Sequence, residues 1–192
     1  MAKLDYARNP WGFRRGVMVY DIETNFTDDW TPEGKAKKTF RCGVVYSYDD
    51  DEFHCFINPK ELVEKISEAK YLVTYNGEGF DHIVLRKYGL KVRKYKDHWK
   101  TVGIKSLDIM MEAQKRRMPE NRNKKFPSLN EVVKSTLEKK KGNPDWDDDE
   151  SVMKYCKLDV SLTKELYEKK AWKFPIKIRR WKGKYGTKYD SA

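Results

Sequence analysis

Long apolar stretches are missing from this sequence, and their absence excludes one class of protein at once. No run of about eighteen uncharged apolar residues occurs, so no segment is predicted to cross a membrane as a helix. The first residues carry charges and a Pro10-Trp11 pair in place of the apolar core of a secretion signal. We therefore expect a cytoplasmic (intracellular) protein with no membrane partner.

Cysteine is also scarce. The three cysteines, Cys42, Cys55 and Cys156, do not have the spacing of a metal site. We expect them to be buried, reduced thiols, although a link between Cys42 and Cys55 across neighbouring strands stays open. The three histidines show no ligand spacing either, and His82, which follows Asp81 and could face substrate, is expected at the surface. Neither residue type predicts a metal centre.

Acidic residues are outnumbered in this chain. It has 41 Lys and Arg against 30 Asp and Glu, a net charge of +11. The basic excess lies in residues 86–105, in residues 115–125 and after residue 171, whereas acidic residues concentrate at 145–150. Basic charge alone would serve solubility. A basic surface around an acidic site is typical of an enzyme that acts on a polyanion.

The size and composition allow one domain with a substantial core. The chain has 192 residues, of which 39% are hydrophobic and 14% aromatic. Apolar patterning predicts strands at 16–20, 39–48, 52–57, 71–75 and 105–110, and helices at 60–70, 80–88, 111–117, after 128 and at 148–170. This order predicts an α/β fold, a mixed five-stranded sheet flanked by helices. We place that domain at residues 1–170 and a basic, aromatic tail at 171–192.

Four carboxylates and one tyrosine lie at the ends of these elements or on them. Asp21 and Glu23 are two residues apart at the end of a strand, so they point to the same face. Asp81 lies in the first turn of a helix, and Tyr155 and Asp159 are four residues apart on another. Like charges packed together are unfavourable unless a cation neutralises them, and oxygen ligands suit magnesium or manganese. The pattern indicates two-metal phosphoryl transfer.

These residues also form three motifs that resemble those of a known family. The motifs are Asp21-Ile22-Glu23-Thr24, Asn76-x-x-x-Phe80-Asp81 and Tyr155-x-x-x-Asp159. They resemble the exonuclease motifs of the DEDDy group, in the DnaQ-like branch of the ribonuclease H-like superfamily. The form is most similar to the proofreading domains of family B DNA polymerases and their stand-alone relatives, and the resemblance runs from about residue 16 to residue 166.

The resemblance implies a ribonuclease H-like fold and a role for each site residue. The activity would be 3′–5′ exonuclease action at single-stranded 3′ ends with two divalent cations, Mg²⁺ or Mn²⁺. Asp21 would bridge both cations, Glu23 and Asp159 would complete the site of the nucleophile-side ion, and Asp81 would hold the second. Tyr155 would orient the attacking water.

The resemblance further implies substrate contacts and a setting in DNA replication and repair. Thr24, Asn76 and Phe80 would meet the terminal nucleotides, with DNA favoured over RNA. Apart from the resemblance, we expect a monomer. An RNA exonuclease, a structure-specific endonuclease and a non-catalytic nucleic-acid-binding module stay open as alternatives, and no protein partner is predicted. Asp108 resembles a recurring carboxylate of the family, but we expect it to cap a helix.

Aromatic residues among the basic stretches are candidates for stacking on bases. Single strands are commonly held by a basic groove with aromatic side chains. Tyr95, Trp99, Trp172 and Trp181 fit that description.

Overall fold

A five-stranded mixed sheet with the order β3-β2-β1-β4-β7 forms the centre of the computed structural model. The structure describes residues 15–25, 31–96, 98–115 and 127–169. The strands of this sheet are β1 (Val17–Thr24), β2 (Phe40–Ser47), β3 (Glu52–Phe56), β4 (Tyr71–Thr74) and β7 (Lys105–Asp108). A separate two-stranded ribbon pairs β5 (Val92–Tyr95) with β6 (His98–Thr101).

The strand directions match a ribonuclease H-like arrangement. β1, β2 and β3 are antiparallel neighbours, and β4 and β7 run parallel to β1 on its other side. β2 and β3 form the predicted hairpin. The predicted fold class, a mixed five-stranded α/β sheet flanked by helices, is confirmed.

Six helices accompany the strands. They are α1 (Pro32–Lys37), α2 (Pro59–Ser67), α3 (Asp81–Leu85), α4 (Ile109–Lys115), α5 (Leu129–Thr136) and α6 (Asp149–Glu168) within the described residues. Ser128 and Glu131 form the predicted capping box of α5. Asp148 caps α6 by accepting hydrogen bonds from the N–H groups of Glu150 and Ser151.

Alternate residues of β1 face two different cores. Val17 and Val19 pack with the buried residues of α6, α5 and α4, whereas Met18 and Tyr20 pack with those of α2 and α3. This period of two continues along the strand. Asp21 and Glu23 therefore emerge on the side of α6.

Two features differ from the sequence-based expectation. α1 and the β5–β6 ribbon were not predicted, because short, highly charged segments carry little apolar periodicity. The predicted helix at 80–88 is α3 followed by a tight 3-10 turn at Arg86–Tyr88, and Gly89 ends it with a φ of 110°. Only glycine adopts that conformation without strain.

The remaining expectations have mixed outcomes. The predicted basic loop at 120–126 and the tail at 171–192 lie outside the described residues, so the division at residue 170 stays a prediction. Cys42 and Cys156 are buried and interact with each other, whereas Cys55 is exposed. In the described part of the chain, no helix has the length and apolar character needed to span a bilayer.

Candidate active site

A cleft of about 1280 Å³ lies at the end of β1, between α6, α5 and the loop that precedes α3. All eight residues predicted for the site line it: Asp21, Glu23, Thr24, Asn76, Phe80, Asp81, Tyr155 and Asp159. Three separate regions of the sequence therefore meet in one cavity.

β1 and α6 supply the tightest group of carboxylates. One carboxylate oxygen from each of Asp21, Glu23 and Asp159 lies within 4.8 Å of the other two. Asp21 and Glu23 share a face of β1, and Asp159 is delivered by a helix that Cys156 and Val160 anchor in the core. Tyr155 lies one turn before Asp159 and reaches the same cleft.

Asp81 approaches from the other side of β1. It is the first residue of α3, and its Oδ1 accepts a hydrogen bond of 3.2 Å from the N–H of Ile22. This bond ties α3 to the backbone between Asp21 and Glu23. Asp81 lines the cleft but lies outside the group of three mutually close carboxylates.

Burial and mutual repulsion make these carboxylates hard to ionise. Burial, followed by the charges of Asp81, Asp159 and Glu23, raises the pKa of Asp21 well above its usual range. Burial and the Asp159 charge raise the pKa of Glu23 to about 8. Burial likewise raises the pKa of Asp81 to about 7, despite the N–H bonds that it accepts. At neutral pH a group of this kind stays at least partly protonated unless positive charge is supplied.

Lys141 supplies part of that charge, and sequence reasoning missed it. Its ammonium group bonds Asp159 Oδ2 and lies 4.2 Å from the ring centroid of Tyr155. Burial alone would lower the pKa of Lys141, but Asp159 and Tyr155 outweigh burial and raise it. The residue stands in a run of three lysines between α5 and α6. Nothing in that run distinguishes it from its neighbours.

One carboxylate oxygen has no partner within the described part of the chain. Asp159 Oδ1 is buried and accepts no hydrogen bond there. Buried polar atoms are nearly always paired, and Asp159 is one of the three clustered carboxylates. The all-oxygen donor set, the raised pKa values and this unpaired oxygen together fit a hard divalent cation.

A second buried carboxylate, Asp108, organises the turn that leads to Asp81. Its two oxygens accept hydrogen bonds from the N–H groups of Asn76 (2.9 Å), Glu78 (3.0 Å), Met110 (3.0 Å) and Met111 (3.2 Å). The bonds to Met110 and Met111 confirm the expected cap of a helix, α4. The other two, which were not predicted, hold the turn before α3.

The conformation of that turn explains its sequence, Asn76-Gly77-Glu78-Gly79. Asn76 has a φ of 67°, a left-handed conformation that asparagine tolerates better than most residues. A Cβ at Gly77 would lie 2.5 Å from the Thr74 hydroxyl, and one at Gly79 would lie 2.5 Å from Asn76 Oδ1. Close packing therefore requires a glycine at Gly77, whereas a Cβ at Gly79 would meet only the end of the Asn76 side chain.

The cleft is also lined by residues that the motifs did not indicate. They include Lys35, Lys38, Ser128, Asn130, Lys134 and Trp146. Trp146 is 50% exposed and meets the Tyr155 ring edge-on, with centroids 5.9 Å apart. Arg41 holds the segment that leads into α6, since it donates a 2.7 Å hydrogen bond to the Trp146 carbonyl oxygen and pairs with the Asp149 carboxylate. The capping-box signal located α5, but not its position beside the cleft.

His82 is not at the surface, contrary to expectation. It is fully buried, its ring stacks on Tyr20 with centroids 6.2 Å apart, and its Nδ1 lies 2.6 Å from the Trp99 carbonyl oxygen. His82 follows the site residue Asp81 in the sequence, but its side chain points into the protein core beside Tyr20. Helical geometry turns consecutive side chains by about 100°, so adjacency in sequence did not predict a shared environment.

Comparison with known proteins shows the fold alone. No protein-family model matches this sequence, and no curated protein matches it. Among solved structures, the chain is similar to the family B DNA polymerase of the hyperthermophilic archaeon Pyrobaculum calidifontis, with a TM-score of 0.59 and 19% sequence identity. The match covers 80% of this chain and 24% of the polymerase. The chain therefore has the fold of about a quarter of that polymerase.

Proposed function

We propose that this protein is a metal-dependent 3′–5′ exonuclease that hydrolyses phosphodiester bonds at single-stranded 3′ ends, with DNA favoured over RNA. The observation that carries the proposal is the cleft in which Asp21, Glu23, Asp81, Asp159 and Tyr155 converge. The likeness to a DNA polymerase structure supports a nucleic-acid substrate. The basic excess of the chain supports a polyanion.

In this proposal the carboxylates hold two divalent cations, Mg²⁺ or Mn²⁺. Asp21, Glu23 and Asp159 would bind one, and Asp81 together with Asp21 would bind the other. When bound, the cations make a water molecule more acidic and stabilise charge on the leaving oxygen. Asp159 Oδ1, which lacks a hydrogen-bond donor among the described residues, would gain a partner.

Tyr155 would position the attacking water. Burial is the largest cause that raises the pKa of its hydroxyl, so the group stays protonated at neutral pH and acts through hydrogen bonding. Its ring is held between Trp146 and the ammonium group of Lys141. A fixed ring gives the hydroxyl a defined direction, which is what positioning requires.

Thr24, Asn76 and Phe80 would contact the terminal nucleotides. They line the same cleft as the carboxylates, and Phe80 offers an aromatic face on which a base can stack. Lys141 would contact phosphate oxygens, because it already lies against the acidic group. These contacts concern bases and phosphates, so the preference for DNA rests on the resemblance of the motifs.

The proposal is tested with single-stranded DNA and RNA labelled at either end, incubated with Mg²⁺, Mn²⁺ or EDTA. We expect 5′-labelled DNA to shorten one nucleotide at a time, and EDTA and Asp21→Ala to abolish the reaction. Asp147→Ala is the matched control, because Asp147 is exposed and does not line the cleft. This variant should cleave like the wild type.

Other results would replace the proposal. Discrete internal products would indicate an endonuclease, and faster shortening of RNA would reverse the substrate preference. Binding without cleavage under any metal would leave a nucleic-acid-binding module.

A further inference from the structure

The β5–β6 ribbon lies outside the cleft and presents a basic face. Its antiparallel register places Arg93 opposite Lys100 and Tyr95 opposite His98, so these four side chains share one face. We propose that this face binds the phosphodiester backbone of the substrate strand, upstream of the end that enters the cleft. The inference extends the proposed function and names a second nucleic-acid contact for it.

The face combines cations with an exposed aromatic ring. Tyr95 is 50% exposed and meets the His98 ring edge-on, with centroids 5.4 Å apart. The Lys100 ammonium lies 5.4 Å from the Tyr95 ring centroid, and that of Lys96 lies 6.0 Å from it. Basic groups interleaved with aromatic rings are the composition that holds single strands.

The cations of the ribbon are available for a ligand. Within the described residues, no carboxylate forms an ion pair with Arg93 or Lys100. Elsewhere on the surface, several lysines pair with a neighbouring acid, as Lys154 does with Glu150. Unpaired cations of the same sign repel one another, and a phosphate chain would relieve that repulsion.

The other face and one edge of the ribbon are already occupied. Thr101 is buried and Val92 packs against the core, while Arg86 covers the Trp99 ring at 4.6 Å. Trp99 is only partly exposed, whereas Tyr95 is 50% exposed, so Tyr95 is the better candidate for stacking on a base. On the basic face, His98 Nε2 lies 3.5 Å from Glu78 Oε2, so Arg93, Tyr95 and Lys100 are the groups that a ligand can reach.

The ribbon is attached directly to the wall of the cleft. The N–H of Trp99 donates a 2.8 Å hydrogen bond to the Glu78 carbonyl oxygen, and the Trp99 carbonyl lies against His82. Glu78 stands between Asn76 and Phe80, which both line the cleft. A strand held on the ribbon is thus held at a constant offset from the carboxylates. Binding there would orient the end of the strand as well as retain it.

The test compares Arg93→Ala/Lys100→Ala with Lys60→Ala/Lys157→Ala, which removes the same charge from exposed positions outside the cleft and the ribbon. Fluorescence anisotropy in EDTA would measure the Kd for a labelled single strand of about twenty nucleotides, long enough to extend beyond the cleft. We expect the Kd of the ribbon variant to rise about tenfold. The slope of log Kd against log salt should fall by about 1.4, for two lost phosphate contacts. The control should match the wild type.

A cleavage assay separates this inference from the proposed function. In the ribbon variant, KM should rise for the long strand, whereas turnover of a substrate of about three nucleotides should not change, because the inference places the ribbon contact upstream of the nucleotides that occupy the cleft. Equal Kd values and salt slopes for the two double variants would overturn the inference and leave the exonuclease proposal intact. If the protein cleaves nothing, the Kd and the salt slope still show whether the ribbon binds the strand. Arg93→Gln/Lys100→Gln serves if the alanine variant does not fold by circular dichroism.

Discussion

Two buried acidic sites lie side by side in this protein and are treated in opposite ways. Asp108 is 2% exposed and accepts hydrogen bonds from four backbone N–H groups. Asp159 in the cleft is 5% exposed. One of its oxygens forms an ion pair with Lys141, and the other has no hydrogen-bond donor among the described residues. Burial raises the pKa of Asp108 to about 6 and that of Glu23 to about 8.

The difference indicates which carboxylate the fold uses for itself. Asp108 receives fixed dipoles from two chain segments, so its charge stabilises the turn before α3 and the start of α4. The cleft carboxylates receive few donors and repel one another. Their charge is compensated only in part by Lys141, which leaves room for a ligand of opposite sign. A buried acid with all its bonds made is structural, and one with bonds left open is poised to bind.

The largest effect is expected from substitutions among the cleft carboxylates, and it should fall on cleavage. Asp21→Asn or Asp159→Asn should reduce cleavage by at least about 1000-fold, since each removes a charged ligand from the place where charge develops. The same variants should lose any Mg²⁺-dependent rise in Tm. Gel assays of turnover and thermal melts with and without Mg²⁺ measure both. Wild-type cleavage by either variant would contradict the assignment.

Substitution of Asp108, whose oxygens both accept hydrogen bonds, should affect stability more directly than cleavage. Asp108→Ala leaves buried N–H groups without acceptors and should destabilise the fold by about 3 kcal/mol or more, a fall in Tm of about 10 °C. Urea titration measures the change. Asp147→Ala on the exposed loop is the control and should change little. If Asp108→Ala were as stable as the wild type, the contrast between the two sites would fail.

Tyr155→Phe tests whether the Tyr155 hydroxyl positions the attacking water in the cleft. It keeps the ring contacts with Trp146 and Lys141 and removes only the hydroxyl. We expect kcat to fall about 10–100-fold, with KM nearly unchanged, because misplacement of the water costs turnover rather than binding. Steady-state kinetics on single-stranded DNA would show this. A change confined to KM would indicate that Tyr155 contacts substrate instead.

The smallest effect concerns pH and stability without metal. The folded pKa of Glu23 is raised from 4.5 to about 8, so the folded state binds the extra proton and stability is lost as pH rises through this window. Glu23→Gln should therefore flatten the fall of Tm between about pH 5 and pH 8 in EDTA and raise Tm by a few degrees at pH 8. Thermal melts in EDTA across this range measure it.

Glu64→Gln, at an exposed position of α2, should leave that profile unchanged. Mg²⁺ added to the wild type should raise Tm more at pH 8 than at pH 6, because it binds the ionised carboxylates. A Tm that rises with pH in EDTA would show that the cleft carboxylates are not strained.

The long, strongly patterned elements were predictable from the sequence. α6, with its buried residues at helical spacing, and the β2–β3 hairpin lie within a few residues of the expected bounds. The short elements were not. α1 and the β5–β6 ribbon are held by contacts such as that of Trp99 with Glu78, and such contacts join residues far apart in the chain.

Local patterns in the sequence thus determined the fold class, the face shared by Asp21 and Glu23, and the helical pairing of Tyr155 with Asp159, because each depends only on the period of a strand or a helix. Tertiary structure alone decided that Lys141 neutralises Asp159, that Asp108 joins two segments, and that the ribbon adjoins the cleft wall. These relations depend on which distant segments pack together. A lysine in a run of lysines carries no local sign of the carboxylate that it will meet.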